Sequence, residues 1–411
     1  MLVTLIPLFD QNMSVRAYSL YSQKKNYLLE PGYMSAATQA GDMDIPGFEV
    51  IESIGLDTLS SDCEIFVPIS SVSLFTDVPD KCKADFSRIV LLLDRTIEPT
   101  FTYTEKIMEL KNLGFRFAIR NLEVSDFEPF KPILRLMDYI FLNHQKIVIS
   151  KAKIYFNLTC PHIKLIASGI ATQGMFDSLK FEGYKLFEGS FYRMPLTQGS
   201  TELSPLKINY ISLLNLVNGE DFDLTAAADI IGQDTALIIS LLKMVNKINR
   251  SSTEITSIRH AAAMLGQKEL KKWITTAIAK QLCSDKPSEL MRVSLLRAKF
   301  AETLAPVFEL GVFGSELFLM GLFSVVDIIL GKPMNEALEL LKVSKNVNDA
   351  LINGAGPFAN VLEFIKLYEA GDWQEISRIM LLNNIPLDKV YDAYISTLEW
   401  YRDLFASIDS V

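Results

Sequence analysis

From residue 1 to about 195, short apolar runs recur between segments of helical or loop character. In "FRFAIRNLEVSDF" (115–127), Phe115, Phe117 and Ile119 fall on one side of an extended chain, as in a strand with that face buried. The runs "LVTLI" (2–6), "VRAYSLY" (15–21), "EIFVPI" (64–69), "RIVLLL" (88–93), "DYIFL" (138–142), "IKLIAS" (163–168) and "YKLF" (184–187) read the same way. Helix-like stretches separate several of them. One is "TYTEKIMELKNLG" (102–114), where a threonine start and the closing Gly114 supply a cap and a stop. Such alternation predicts a mainly parallel sheet with helices outside, and seven or eight strands favour closure into a barrel.

The pattern changes at "RMPLTQGSTELSP" (193–205), a break made of two prolines, a glycine and small polar residues. Beyond it the period is helical. In "DTALIISLLKMVNKI" (234–248), Leu237, Leu241, Val245 and Ile248 form one apolar stripe. "SIRHAAAMLG" (257–266) starts at a capping serine and stops at glycine, and "PSELMRVSLLRAKFAETLAP" (287–306) lies between prolines with Ser288 as its predicted N-cap. The run "LFLMGLFSVVDIIL" (317–330) contains Asp327 and is shorter than the roughly 20 residues a membrane crossing needs, so it reads as a buried core helix. The expected organisation is a barrel domain over 1–198 and an all-helical domain over 203–411.

Composition narrows the function. With 411 residues, 49% hydrophobic and 22% charged, the chain reads as a two-domain globular protein. Residues 1–200 carry 20 basic and 23 acidic side chains, the remainder 20 and 26, for a net charge of −9. Neither half has the cationic excess of a general nucleic-acid binder. Cys63, Cys82, Cys160 and Cys283 are scattered without metal-ligand spacing and read as free thiols of a reducing cytoplasm. The opening "MLVTLIPLFD" lacks a positive leader and a cleavage site, so no signal peptide and no membrane partner are expected.

The usual catalytic signatures do not occur. The three histidines, His144, His162 and His260, include no His-Asp pair and no HExxH, and no phosphate loop, GxSxG elbow or GxGxxG motif is found. His260 reads as a capped or hydrogen-bonded structural residue in a helix. A divalent-metal site needs carboxylates at several strand ends. The strand ends instead carry Ser19, Pro68, Leu92, Arg120, Asn121, Phe141, Asn143 and Ser168, leaving Asp94, Asp138 and Glu188 isolated.

The order of segments over 1–195 resembles the EAL domain, a (β/α)8-like barrel that hydrolyses cyclic di-GMP with two metal ions. "IPLFDQNMSVRAYSLYS" (6–22) is similar to the family's opening, and "YKLFEGSFYRMP" (184–195) to its close. The resemblance places Ser19 where the signature glutamate binds metal, Pro68 at an asparagine ligand and Arg95 at the next glutamate. It places Arg120 and Asn121 at the paired aspartates, Phe141 and Asn143 at the catalytic lysine and following aspartate, and Ser168 at the last glutamate. The resemblance therefore implies a degenerate EAL barrel without catalytic residues, metal or cofactor. Arg120 would pair either with a phosphate of an intact cyclic dinucleotide or, more commonly for such a residue, with a neighbouring carboxylate.

The second half resembles the HDOD domain, a helical relative of His-Asp phosphohydrolases without their metal site. The residues that carry the likeness are 234–249, "ITSIRHAAAMLGQKELKKW" (255–273), "LRAKF" (296–300), 316–338 and "LYEAGDW" (367–373). Together the two resemblances imply a non-catalytic signalling or scaffold protein that binds a regulatory protein partner, with homodimerisation left open. The alternatives are a cyclic di-GMP sensor and a residual cyclic di-GMP phosphodiesterase. The candidate partner surface is Asn246, Ser257, Arg259 and His260, whose competing roles are N-cap for Ser257, helix-end group for Asn246 and packing for His260.

Overall fold

Each apolar run of the first half becomes a strand, with ends moved by a few residues. The computed structural model describes residues 1–24, 43–195, 203, 205–218, 223–232, 234–248, 255–283 and 286–408. The strands are β1 (Leu2–Phe9), β2 (Val15–Gln23), β3 (Glu64–Pro68), β4 (Ile89–Asp94), β5 (Arg116–Arg120), β6 (Tyr139–Asn143), β7 (Lys164–Ile170) and β8 (Leu186–Gly189). They close into a barrel in chain order. Strands β2 to β8 are parallel, whereas β1 runs antiparallel to both its neighbours. The connection between β1 and β2 is too short for a crossover, so these strands form a hairpin. Asp10 braces the turn: its Oδ1 accepts the backbone N–H groups of Asn12 at 2.8 Å and Ser14 at 3.0 Å.

Side chains alternate across the sheet, and one parity fills the barrel. Leu8, Ala17, Phe66, Val90, Leu92, Ala118, Tyr139, Phe141 and Ile166 form one buried cluster. Phe66 meets Tyr139 and Phe141 edge to face at 5.1 and 5.5 Å. Such ring pairs add about 1 kcal/mol to the burial of each side chain. The opposite parity, Leu91, Leu93, Phe117 and Ile119 among it, is equally buried under the outer helices, which accounts for the continuous apolar runs. At the N-terminal end of the parallel strands the Tyr139 hydroxyl donates to Glu64 at 2.7 Å, and Arg116 pairs with the same carboxylate. Burial and Glu64 together push the Tyr139 phenol well up.

The longer helices beside these strands are α1 (Pro46–Ile54), α2 (Phe101–Asn112), α3 (Ile149–Thr159) and α4 (Gln173–Phe181). Thr100, rather than Thr102, holds the N-cap position of α2 and makes no side-chain cap bond; Gly114, at φ 100°, ends the segment as expected.

The second half is helical among its described residues: α5 (Pro205–Asn218), α6 (Leu224–Ile231), α7 (Thr235–Ile248), α8 (Ile258–Leu282), α9 (Ser288–Leu304), α10 (Gly314–Phe323), α11 (Val326–Leu330), α12 (Met334–Leu341), α13 (Pro357–Ala370), α14 (Trp373–Leu382) and α15 (Leu387–Ile408). Gly266 interrupts α8 with φ 73°, so the predicted stop survives as a kink. Ser288 is not an N-cap: Pro287 holds that position and no side chain caps the helix. The run 317–330 is not one helix but two, parted at Ser324 and Val325. The Ser324 hydroxyl donates to the Gly321 carbonyl at 2.7 Å, an alternative to the helical ladder that ends α10.

Two compact units divide the chain. The first joins Met1–Met194 to Phe364–Ile395, and the second joins Pro195–Glu363 to Ser396–Val411. The stretch Phe364–Ile395, counted with the helical domain in the sequence reading, thus packs in the barrel's unit. Most of the predicted break at 193–205 lies outside the described residues. Among those described, no helix is long and apolar enough to cross a membrane.

Candidate functional site at the barrel mouth

The C-terminal ends of β2 to β8 share one end of the barrel. Continuing the inward parity beyond the core cluster gives Ser19 after Ala17, Pro68 after Phe66 and Asp94 after Leu92. The same step gives Arg120 after Ala118, Asn143 after Phe141, Ser168 after Ile166 and Glu188 after Leu186. Six of the positions singled out by the EAL resemblance, Ser19, Pro68, Arg120, Phe141, Asn143 and Ser168, therefore lie on this inner face.

Arg120 occupies the centre of their contacts. Its Nη2 donates to Glu188 Oε1 at 3.3 Å, with the side chains 19% and 9% exposed. The guanidinium carbon lies 5.1 Å from the Tyr21 ring and 5.2 Å from the Phe141 ring. Two aromatic faces and one carboxylate thus hold the cation. The fully buried Ser19 hydroxyl donates to the second Glu188 oxygen at 3.4 Å. Arg120 Nη1 is buried and has no hydrogen-bond partner among the described residues, an arrangement that costs about 1–3 kcal/mol. Phe141 and Ser168 are buried, whereas Pro68 is exposed. Asn143 turns its side-chain oxygen to the backbone N–H of Gln145 at 2.9 Å.

Two further positions serve other partners. Asn121, in the left-handed region at φ 60°, donates from Nδ2 to Asp94 Oδ2 at 2.7 Å, so one of the isolated carboxylates is engaged at the rim. Arg95 pairs with Glu123 and, at 3.4 Å, with Asp126 on the loop after β5. Asp138 lies away from the mouth and accepts from Lys111 and from the Phe117 N–H, each at 2.8 Å. Tyr21 was missed in the sequence, although it lies two residues beyond Ser19 on the same strand face. That period-two step was the available signal.

In the helical unit, Asn246 bonds the backbone of Ile255 twice, donating to its carbonyl at 2.9 Å and accepting its N–H at 2.7 Å. This role in tying α7 to the start of α8 occupies the side chain. Ser257 accepts the His260 N–H at 3.4 Å in N-cap fashion. Arg259 pairs with Asp229 at 2.9 Å on the surface. His260 is exposed, so its reading as a packing residue is corrected: it points away from the α8 face that buries Ala261 and Ala262.

Comparison with known proteins agrees with this order of parts. Residues 203–350 match the HDOD domain, so the helical half carries an HDOD domain. Over nearly its whole length the chain is similar to Uncharacterized protein YuxH of Bacillus subtilis (strain 168), with 26% identity over 411 residues covering 97% of each. It is also similar to Cyclic di-GMP phosphodiesterase CdgJ of Vibrio cholerae serotype O1, with 25% identity over 403 residues covering 97% of this chain and 91% of the relative. Among solved structures, a c-di-GMP complex of the PaMucR phosphodiesterase is similar at a TM-score of 0.37 and 13% identity, covering 46% of this chain and 94% of that one. A closed eight-stranded barrel followed by an HDOD domain is the EAL-plus-HDOD architecture that the sequence suggests.

Proposed function

We propose that this cyclic di-GMP related EAL–HDOD protein is a non-catalytic signalling or scaffold protein, with phosphodiesterase chemistry lost from its barrel and a regulatory protein as its partner. The observation that carries the reading is the Arg120 guanidinium inside the mouth, paired with Glu188. A two-metal hydrolase needs carboxylates holding two cations about 3.5–4 Å apart. A fixed positive charge about 4 Å from a divalent ion opposes it by about 8 kcal/mol at an effective dielectric constant of roughly 20. Glu188 at a similar distance would offset that and no more. Ser19, Asn143 and Ser168 bring no negative charge to the inner face, and Asp94, which does, is held at the rim by Asn121 at 2.7 Å.

The test is turnover. Purified full-length protein incubated with cyclic di-GMP and Mg²⁺ or Mn²⁺ should release no linear product. Robust hydrolysis abolished by Asp94→Asn or Glu188→Gln would overturn the proposal. A second reading, binding of cyclic di-GMP without hydrolysis, is favoured by the unpartnered Nη1 of Arg120, a buried donor able to take a phosphate oxygen. Calorimetric titration with the nucleotide decides it: heat lost in an Arg120→Met variant supports sensing, and absence of heat at high micromolar concentration removes it.

In the HDOD half, Ser257, Arg259 and His260 are the exposed members of the candidate partner surface, and Ser257 is already engaged as an N-cap. Binding of the regulatory partner would centre on Arg259 and His260 rather than on Asn246.

A further inference from the structure

We propose that Phe364–Ile395 is a strap across the β1–β2 side of the barrel mouth, seating Tyr21 and, through Tyr21, the Arg120 guanidinium. The proposal is independent of whether the barrel hydrolyses, binds or ignores a nucleotide.

Four attachments tie the strap to the barrel. Tyr368 is fully buried, and its hydroxyl accepts the Val3 backbone N–H at 3.1 Å. Gln23 at the end of β2 donates from Nε2 to Ser377 Oγ at 3.2 Å, with neither residue exposed. Arg193, just beyond β8, pairs with Glu369. Ser53 of α1 shares a hydrogen bond of 3.4 Å with the Tyr391 hydroxyl. Tyr368 also packs on Trp373 at 5.3 Å and on Tyr394 at 4.9 Å, so the strap has an aromatic core of its own.

Between α13 and α14 the strap turns at Gly371, whose φ of 68° favours glycine. A Cβ built there would lie 3.7 Å from Thr4 Cγ2 and 4.0 Å from Tyr21 Cβ. Thr4 and Tyr21 are register partners and share the inward parity of Leu8 and Ala17. The turn therefore rests on the inner face of the hairpin where it rises above the core. Tyr21 in turn lies against Arg120, and Arg120 against Glu188. A contiguous line runs from Gly371 through Tyr21 to the charged pair.

Coupling of this kind acts equally in both directions, which gives the test. Hydrogen exchange of the full-length protein is compared with that of Tyr368→Phe, which keeps the ring and removes the acceptor for the Val3 N–H. Exchange should quicken on the order of tenfold in peptides covering 2–9, 15–23 and 116–123, the response expected for a lost buried hydrogen bond that is felt as far as Arg120. In the reverse direction, Arg120→Met should quicken exchange in 368–377. A purely local anchor would move neither 116–123 in the first variant nor 368–377 in the second, and silence at either place overturns the proposal. If Tyr368→Phe does not fold, Glu369→Gln, which breaks the Arg193 pair at the strap's edge, makes the same comparison.

Discussion

Replacing Arg120 tests the reading of the mouth most searchingly through stability. Arg120→Met keeps an unbranched stem between the Tyr21 and Phe141 rings and removes the cation, leaving the buried Glu188 carboxylate, among the described residues, with the Ser19 hydroxyl at 3.4 Å to answer it. Breaking a fully buried pair costs about 3–5 kcal/mol. Here the contact is a single one of 3.3 Å and the arginine is about a fifth exposed, so solvent screening reduces that figure. The substitution also removes the orphaned Nη1, which recovers part of the loss. The net expectation is a destabilisation of about 1–2 kcal/mol, or a fall of about 3–6 °C in the melting of the barrel unit. Glu188→Leu alone strands the cation and should cost about as much. The double variant Arg120→Met with Glu188→Leu replaces the pair by apolar groups and should return to within about 1 kcal/mol of the parent, because such replacements are neutral or stabilising. Thermal unfolding followed by near-ultraviolet circular dichroism measures all four proteins. Two single losses that simply add in the double variant would mean that the charges do not interact, and the description of the mouth would be refuted.

Other sites give independent checks. Burial alone would raise the Asp10 carboxyl, but the N–H groups of Ser14 and Asn12, with Arg16, outweigh it and hold the carboxyl below its usual 3.8. A depressed carboxylate stabilises the fold above its unfolded value, and this contribution is lost as pH falls through the folded one. The melting difference between wild type and Asp10→Asn should therefore be full above about pH 5 and be lost as pH falls below the usual carboxylate value and through the depressed folded one; a difference that grows on acidification would contradict the assignment. A Cβ on Gly321 would lie 2.3 Å from the Arg297 carbonyl oxygen, so Gly321→Ala should destabilise the HDOD unit by about 1–3 kcal/mol, read by urea unfolding. Asn246→Ala removes both bonds to Ile255 and should cost about 1–2 kcal/mol. By contrast, exposed Arg259→Ala and His260→Ala should change stability by less than about 0.5 kcal/mol while weakening partner binding, and unaltered binding would remove that face.

The strands were legible because burial on both faces writes near-continuous apolar runs, and "RIVLLL" and "DYIFL" needed no knowledge of their neighbours. The antiparallel direction of β1 was not read, although the short turn at Asp10–Ser14 carried that information by excluding a crossover. The mouth positions were legible as strand ends and through the EAL resemblance, but the pairing of Arg120 with Glu188 joins strands 68 residues apart and leaves no local trace. The same holds for the strap. Periodicity tells which face of α13 or α14 is buried, yet not that Tyr368 finds Val3 across 365 positions or Ser377 finds Gln23 across 354. The break in 317–330 was hidden because a uniformly apolar run looks the same whether it forms one helix or two. Ser288 misled because Pro287 took the cap position one residue earlier.

Anomalous scattering from a crystal of the full-length protein soaked in manganese tests most directly the proposal that the barrel has lost its two-metal centre. Difference density at the manganese edge should show no pair of peaks among Ser19, Arg120, Asn143, Ser168 and Glu188. Two peaks about 4 Å apart at that end of the barrel, with Arg120 swung aside to admit them, would contradict the account.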